Sequence, residues 1–305
     1  MLKYIKENTS INKNEVIQTR INIQDNYKKG IFFILISSIT FALVAVLIKN
    51  VEHLPLMEMV FFRSIPTMII FPIIIKRMNI PLFGNNKPIL WFRCFIGVLG
   101  ILTVFYTFTI MPLTDAMTLL QLHPLFIFFL SGIFLKEKLS LQKIPFFLFA
   151  FLGGVLVIKP GLRIDMFPAM IAILAAIFMA ITHVTLRHLR LTDHPLVIVN
   201  YFAYISAFIG LMTLFLQKNF KVPSISDLFF LTLLGLCAVV TQYTLTRAYQ
   251  MAPANLISLY AYSQIIFASV FGLLFFKEIP DIFSIIGAGC IIISGYLNYR
   301  YKSNN

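Results

Sequence analysis

His123 and Gln264 stand 141 residues apart, each near the middle of a long apolar run. An imidazole or a carboxamide in hydrocarbon must find a partner or a wet cavity, and a ligand site is one way to supply it. Tyr260 lies four residues before Gln264 and shares its face if the run is one continuous helix. Gln121 and Tyr262 correspond at the same separation on a second face, beside Thr118 and Leu259. Residues two apart on a helix point about 200° apart, so Gln121 and His123 cannot both point to one centre. Further along, Thr103 matches Thr244 and Tyr106 matches Arg247, with Gln242 and Tyr243 close by. Tyr106 and Gln242 are candidate cavity groups. Arg63 lies about eight residues, roughly 12 Å, inside another apolar run, where it either pairs with Glu58 or binds an anionic substrate. For all of these the competing reading is hydrogen bonding that only holds helices together.

Other polar residues read differently. Arg93 opens an apolar run and is expected to anchor it at the interface. His183 is one turn before Arg187, near a boundary, and Arg247 is placed to snorkel. Lys136-Glu137 and Lys277-Glu278 end apolar runs and are expected to cap loops. No HExxH, GxSxG or GxxxxGK[ST] pattern occurs, and acids are nearly absent from the runs, which disfavours an intramembrane enzyme and an ATP-driven pump. A channel would want a filter-like repeated loop, which is not seen. Cys94, Cys237 and Cys290 form no metal spacing, and neither metal nor cofactor is expected.

The elements that must position these groups follow from composition. Hydrophobic residues make up 59% of the 305 residues and charged ones 12%, with a mean hydropathy of +0.88. Such an apolar surplus suits a bilayer and no water-soluble fold of this size. Ten apolar runs reach or approach the roughly 20 residues of a spanning helix: 30–48, 55–75, 89–110, 113–135, 142–158, 166–186, 195–216, 227–246, 253–276 and 282–299. The expected fold is all-α, since only helices satisfy the backbone along such continuous runs. Residues 1–29 form a polar tail without the apolar core of a signal peptide. Placing the tail inside puts eighteen Lys and Arg on the cytoplasmic side and six outside, so both termini are expected in the cytoplasm of a bacterial-type inner membrane. The net charge of +13 is thus accounted for without nucleic acid.

The sequence also repeats on itself. At an offset of 141 residues Pro112 falls on Pro253, Phe126 on Phe267, Lys136-Glu137 on Lys277-Glu278 and Gly154 on Gly295. The first copy is placed at 30–160 and the second at 161–301, with 302–305 trailing. Five spans per copy is odd, so the second copy enters inverted, an architecture of secondary transporters. The segments FYTFTIMPLTDAMTLLQLHPLFIFFLSGIFLKEKLS (105–140), RAYQMAPANLISLYAYSQIIFASVFGLLFFKEIPD (247–281) and GAGCIIISGY (287–296) resemble the EamA family of the drug/metabolite transporter superfamily. The resemblance covers about residues 30–300. It implies ten helices in two inverted halves, a central cavity, and export or exchange of a small metabolite without ATP hydrolysis. Amino acids, nucleobase-like metabolites, S-adenosylmethionine and flavins are the substrate classes it brings. Many relatives carry a proline midway along the ninth helix, where this chain has Leu259, while Pro124 remains in the fourth.

Overall fold

The computed structural model describes residues 25–51, 53–110, 119–137, 141–158, 166–217, 221–277 and 282–303. The polar tail to residue 24, Pro112, Thr118 and Glu278 lie outside them. Among the described residues every regular element is helical: α1 Tyr27–Asn50, α2 Leu56–Arg77, α3 Lys87–Ile110, α4 His123–Leu135, α5 Ile144–Ile158, α6 Met166–Leu189, α7 Pro195–Gln217, α8 Ile225–Met251, α9 Ala254–Tyr260, α10 Ser263–Phe276 and α11 Ile282–Ser303. A single 3₁₀ turn, Leu141–Lys143, precedes α5.

Local chemistry sets several ends. Asn26 accepts from the Lys29 amide at 3.0 Å and so starts α1. Ser224 and Asp227 form a reciprocal capping box at the start of α8. α4 and α10 both stop at a lysine in the left-handed region, Lys136 at φ 53° and Lys277 at φ 57°. These are the two lysines that the 141-residue offset superposes. Each turns the chain where a β-carbon resists it, which makes the match more than compositional.

Seven segments are long and apolar enough to cross a membrane: Tyr27–Ile48, Leu56–Arg77, Lys87–Val104, Met166–Leu189, Pro195–Leu216, Ile225–Met251 and Ala254–Phe275, the last running through α9 and α10. Three shorter apolar helices, His123–Leu135, Leu141–Leu156 and Ile285–Asn298, fall below that length. The ten runs read from sequence are therefore seven full-length candidates and three short ones. For α4 the reason is visible, because its 13 residues are preceded by a turn at Gln121 and Leu122. The expected continuous helix over 253–276 is likewise two helices, interrupted at Ala261 and Tyr262.

The bundle has an apolar outside as well as a largely apolar core, and keeps many of its intramembrane polar side chains within. Phe32, Trp91, Phe95, Phe208, Phe229 and Ile292 are exposed, while Ser37, Thr107, Ser131, Asn200, Thr244 and Asn298 are buried. That arrangement is what a lipid-facing surface selects, since acyl chains reward apolar side chains and leave polar ones to pair inward. α1 packs on α8 and α3 on α6; α1 also meets α10, as α6 meets α4; α2 packs on α7 and α5 on α11. Exchanging the two copies maps this set of pairs onto itself. Close approaches use missing side chains: a β-carbon on Gly235 would meet the Pro66 ring at 2.6 Å, and one on Gly153 the Gly287 carbonyl at 2.6 Å. Small residues at such crossings let backbones touch in lipid.

Candidate substrate cavity

The two helix breaks meet. Tyr262, fully buried in the break between α9 and α10, donates its hydroxyl to the Gln121 carbonyl at 3.0 Å, and the two residues are 141 apart. The break before α4 frees carbonyls that lipid could not satisfy. The Gln121 carbonyl takes the Tyr262 hydroxyl, and the Leu120 carbonyl takes His123 Nδ1 at 3.0 Å. Since a carbonyl only accepts, that contact requires the proton on Nδ1, which leaves Nε2 with its lone pair. On the other copy Ser263 donates to the Tyr260 carbonyl at 2.7 Å, and Tyr260 donates to the Gly295 carbonyl at 3.1 Å on α11. Several groups expected at a binding site thus stitch the breaks instead.

Interruption of the helices also changes the faces. Tyr260 and Gln264 lie either side of a tightened turn at Ala261 and Tyr262, which keep right-handed helical dihedrals and close i→i−3 hydrogen bonds, so the ideal four-residue face is turned. Gln121 sits in a similar turn before α4, with Leu122 in the same region, so ideal helix spacing does not hold there either. His123 packs its ring 5.7 Å from that of His183, which stacks on Tyr249 at 4.9 Å with 9° between planes. His183, expected near a boundary, is therefore buried in a central ring column. Its Nδ1, the Tyr249 hydroxyl and Gln121 Oε1 have no partner.

A narrow, partly open cavity with room for about one water lies between α2, α7 and α8. Arg63, Ser64 and Thr67 line it from α2, Val199, Phe202 and Ala203 from α7, and Ala238 and Gln242 from α8. Of the residues expected at a site, Arg63 and Gln242 are here; His123, Gln121, Tyr260, Tyr262, Gln264 and Tyr106 are not among its walls. Tyr106 is half exposed on α3, and Gln264 is partly buried at the start of α10. Gln242 Oε1 is buried without a partner. Arg63 does not pair with Glu58, whose Oε2 accepts instead from the Lys221 amide at 3.3 Å. Glu58 lies five residues, about 1.4 turns, back along α2 and meets the α7–α8 connection. Arg93, expected as an interface anchor, is 1% exposed, with its guanidinium carbon 4.2 Å from the centre of the Phe202 ring. Sequence position gave its depth but not its facing.

Both ends of the bundle are closed by polar contacts. At one, Glu137 receives Arg187 Nε at 3.2 Å and the amides of Ala254 and Asn255 at 3.0 and 3.2 Å, which begin α9. Arg187 also reaches Asp25 at 2.9 Å and the Gln250 carbonyl at 3.3 Å, and Arg190 pairs with Asp25. Glu137 is thus part of an inter-helix network rather than a cap on its own loop. At the other end Lys221 Nζ donates to the His53 carbonyl at 2.8 Å, and His53 meets Asp227 at 3.3 Å. Among the described residues no cluster of three metal-ligating side chains occurs.

A helical bundle with an apolar outside and seven segments long enough to cross a bilayer defines a multi-pass membrane protein. The model of the EamA-like transporter family matches the chain twice, over residues 28–159 and 166–300, and the chain belongs to that family. It is 29% identical over 276 residues to a pseudopaline exporter of Pseudomonas aeruginosa, covering 89% of this chain and 96% of that protein. It is 28% identical to solute carrier family 35 member G1 of Mus musculus, covering 87% of this chain and 76% of the relative. It is 26% identical to an S-adenosylmethionine uptake transporter of Rickettsia prowazekii, covering 87% and 90%. A crystal structure at 13% identity superposes with a TM-score of 0.81 over 90% of this chain and 98% of its own, a likeness of fold alone.

Proposed function

We propose that this protein is a secondary carrier that moves a small metabolite by alternating access, built from ten spanning segments in two inverted copies at 30–160 and 161–301. The carrying observation is the meeting of two interrupted helices at positions 141 residues apart, Tyr262 on Gln121, in a bundle that also holds a polar cavity between α2, α7 and α8. Discontinuous helices at a repeat interface are how secondary transporters place a site near the membrane centre and rock around it. The paired left-handed lysines, the self-mapping helix contacts and the double family match support the same reading. In it, the short α4 and α5 and the short apolar part of α11 complete the ten, and both termini lie on the cytoplasmic side of the inner membrane. The relatives include one named as an exporter and one as an uptake protein, so direction is left to measurement. Amino acids, nucleobase-like metabolites, S-adenosylmethionine and flavins are the classes to try first.

The test is counterflow in proteoliposomes containing the purified protein. A carrier takes up labelled solute transiently against its gradient when the lumen is loaded with the same unlabelled solute, and the uptake saturates. Flux that rises linearly with concentration and shows no counterflow would mean a pore, and a chemically altered solute would mean an enzyme.

A further inference from the structure

Among the described residues two arginines of this bundle, Arg63 and Arg93, have no countercharge. The described acids, Asp25, Glu58, Glu137, Asp193 and Asp227, lie near helix ends or between helices. Arg63 sits in the cavity wall and Arg93 is buried beside Phe202, which forms another part of that wall. Among the described residues neither makes an ion pair. The ion pairs that exist join Asp25, Glu137, Arg187 and Arg190 at one end and His53 with Asp227 at the other. Nε and Nη1 of Arg93 have no acceptor at all. An unpaired cation inside a membrane protein is costly, and such groups mark substrate or ion paths.

Packing offers no structural reason for both charges. Arg93 gains a ring face from Phe202, which an uncharged residue of similar size would also fill. Arg63 projects into empty space with Gln242 and the hydroxyls of Ser64 and Thr67 around it. A planar fork beside an amide is the geometry that grips an oxyanion through two parallel hydrogen bonds. The remaining walls, Val199, Phe202, Ala203 and Ala238, are apolar and suit a short carbon chain. In this conformation the space has room for about one water, so a small ligand enters only as the surrounding helices part.

We propose that the cavity is an anion site and that its ligand is a small organic carboxylate, gripped by Arg63 and Gln242 and balanced by the second positive charge of Arg93. The carrier reading enters only in making this ligand the cargo. A soluble carboxylate and a lipid phosphate share the chemistry that an arginine fork recognises, and the test separates them.

Thermal unfolding of the purified wild-type protein in a neutral maltoside is measured with succinate, glutarate and tricarballylate, each beside its neutral amide, at ionic strength matched with sodium chloride. At least one acid is expected to raise the midpoint by several degrees while its amide does not. Arg63→Gln and Arg93→Gln should each raise the half-stabilising concentration about tenfold or more, and Gln242→Leu by a smaller factor. The acid-against-amide comparison needs no variant, so a misfolded Arg63→Gln leaves the test intact. Equal response to acids and amides, no response to any acid, or stabilisation by phosphatidylglycerol alone would overturn the proposal. Counterflow on the same preparations separates the two ideas. Arginine-dependent binding of an acid without counterflow would keep the anion site and reject the carrier; counterflow of a neutral or cationic solute with no acid bound would do the reverse.

Discussion

Replacing Glu137 by alanine removes the contact that ties α4 to both α6 and α9. Three interactions vanish together: the ion pair to Arg187 Nε at 3.2 Å and the hydrogen bonds from the Ala254 and Asn255 amides at 3.0 and 3.2 Å. The side chains of Glu137 and Arg187 are 11% and 8% exposed, so water screens the pair little. A hydrogen bond to a charged group is worth about 1.5–3 kcal/mol net, and a carboxylate at a helix start adds about 0.3–1 kcal/mol. The three are not additive, since water enters the gap and Arg187 keeps Asp25 and the Gln250 carbonyl. A loss of about 3 kcal/mol is the reasoned outcome. At about 2 °C per kcal/mol for a chain of this size, the midpoint should fall by about 6 °C. Heating steps followed by fluorescence-detected gel filtration in detergent would measure it. Glu137→Gln, which keeps shape and one acceptor, should recover about half. The Glu137→Ala, Arg187→Ala cycle should show a coupling of about 1 kcal/mol or more. A Glu137→Ala midpoint within 1 °C of wild type, or additive single losses, would refute this account of the network.

His194 precedes α7, and its Nδ1 accepts from the Leu196 amide at 3.3 Å. Burial, then the positive charge of Arg247, holds its pKa below the ordinary 6.5, so its stabilising share is present above that value and lost as pH falls through 6.5 toward the lowered native pKa. Melting midpoints from pH 8 to 5 should therefore decline less for His194→Gln than for wild type; parallel curves would exclude the assignment. His123→Ala strands the Leu120 carbonyl, at about 1–3 kcal/mol, and should lower the midpoint while leaving the counterflow KM unchanged. A raised KM at normal stability would put His123 in the binding site, as would substrate-protected labelling of Gln264→Cys for Gln264. A reporter active only in the cytoplasm, fused at Asn305, should be active; silence there would reverse the orientation.

The gross architecture was open to reading because lipid imposes it residue by residue. Long apolar runs, few acids and the Lys-Glu pair recurring at 136 and 277 sufficed for an all-helical membrane protein and the family, and the lysines proved to share a backbone conformation as well. Only the first break had a local signal: Pro124 opens α4 and cannot donate to the Leu120 carbonyl one turn back. Residues 259–263 contain neither glycine nor proline, so nothing in propensity interrupts the second helix. What permits the breaks is a set of tertiary caps, Tyr262 on Gln121 and His123 on Leu120, and a cap is visible only once both partners are placed. Helical-wheel reasoning about Gln121, His123, Tyr260 and Gln264 failed with the helices it assumed. Arg63 and Gln242 were readable as candidates because polar residues deep in apolar runs are few. Arg93 and His183 were discounted on distance from a run's end, which measures depth along a helix and says nothing of which neighbour the side chain faces. The Arg187 network joins residues 50 and 162 positions away, beyond any local pattern.

The two closures are unequal, and that inequality bears on the order of movement. Asp25, Glu137 and Arg187 are largely buried and share backbone amides and carbonyls as well as charge. At the opposite end His53 is 56% exposed, its contact with Asp227 is open to solvent, and an exposed pair of this kind adds little. Among the described residues the two end contacts differ in strength, so in the carrier reading the His53–Asp227 end opens more readily and the Glu137 end sets the slower half of the cycle. Glu137→Ala should then speed exchange even as it lowers the melting midpoint. Slower or unchanged exchange in that variant would show that the network supports the fold without timing its motion.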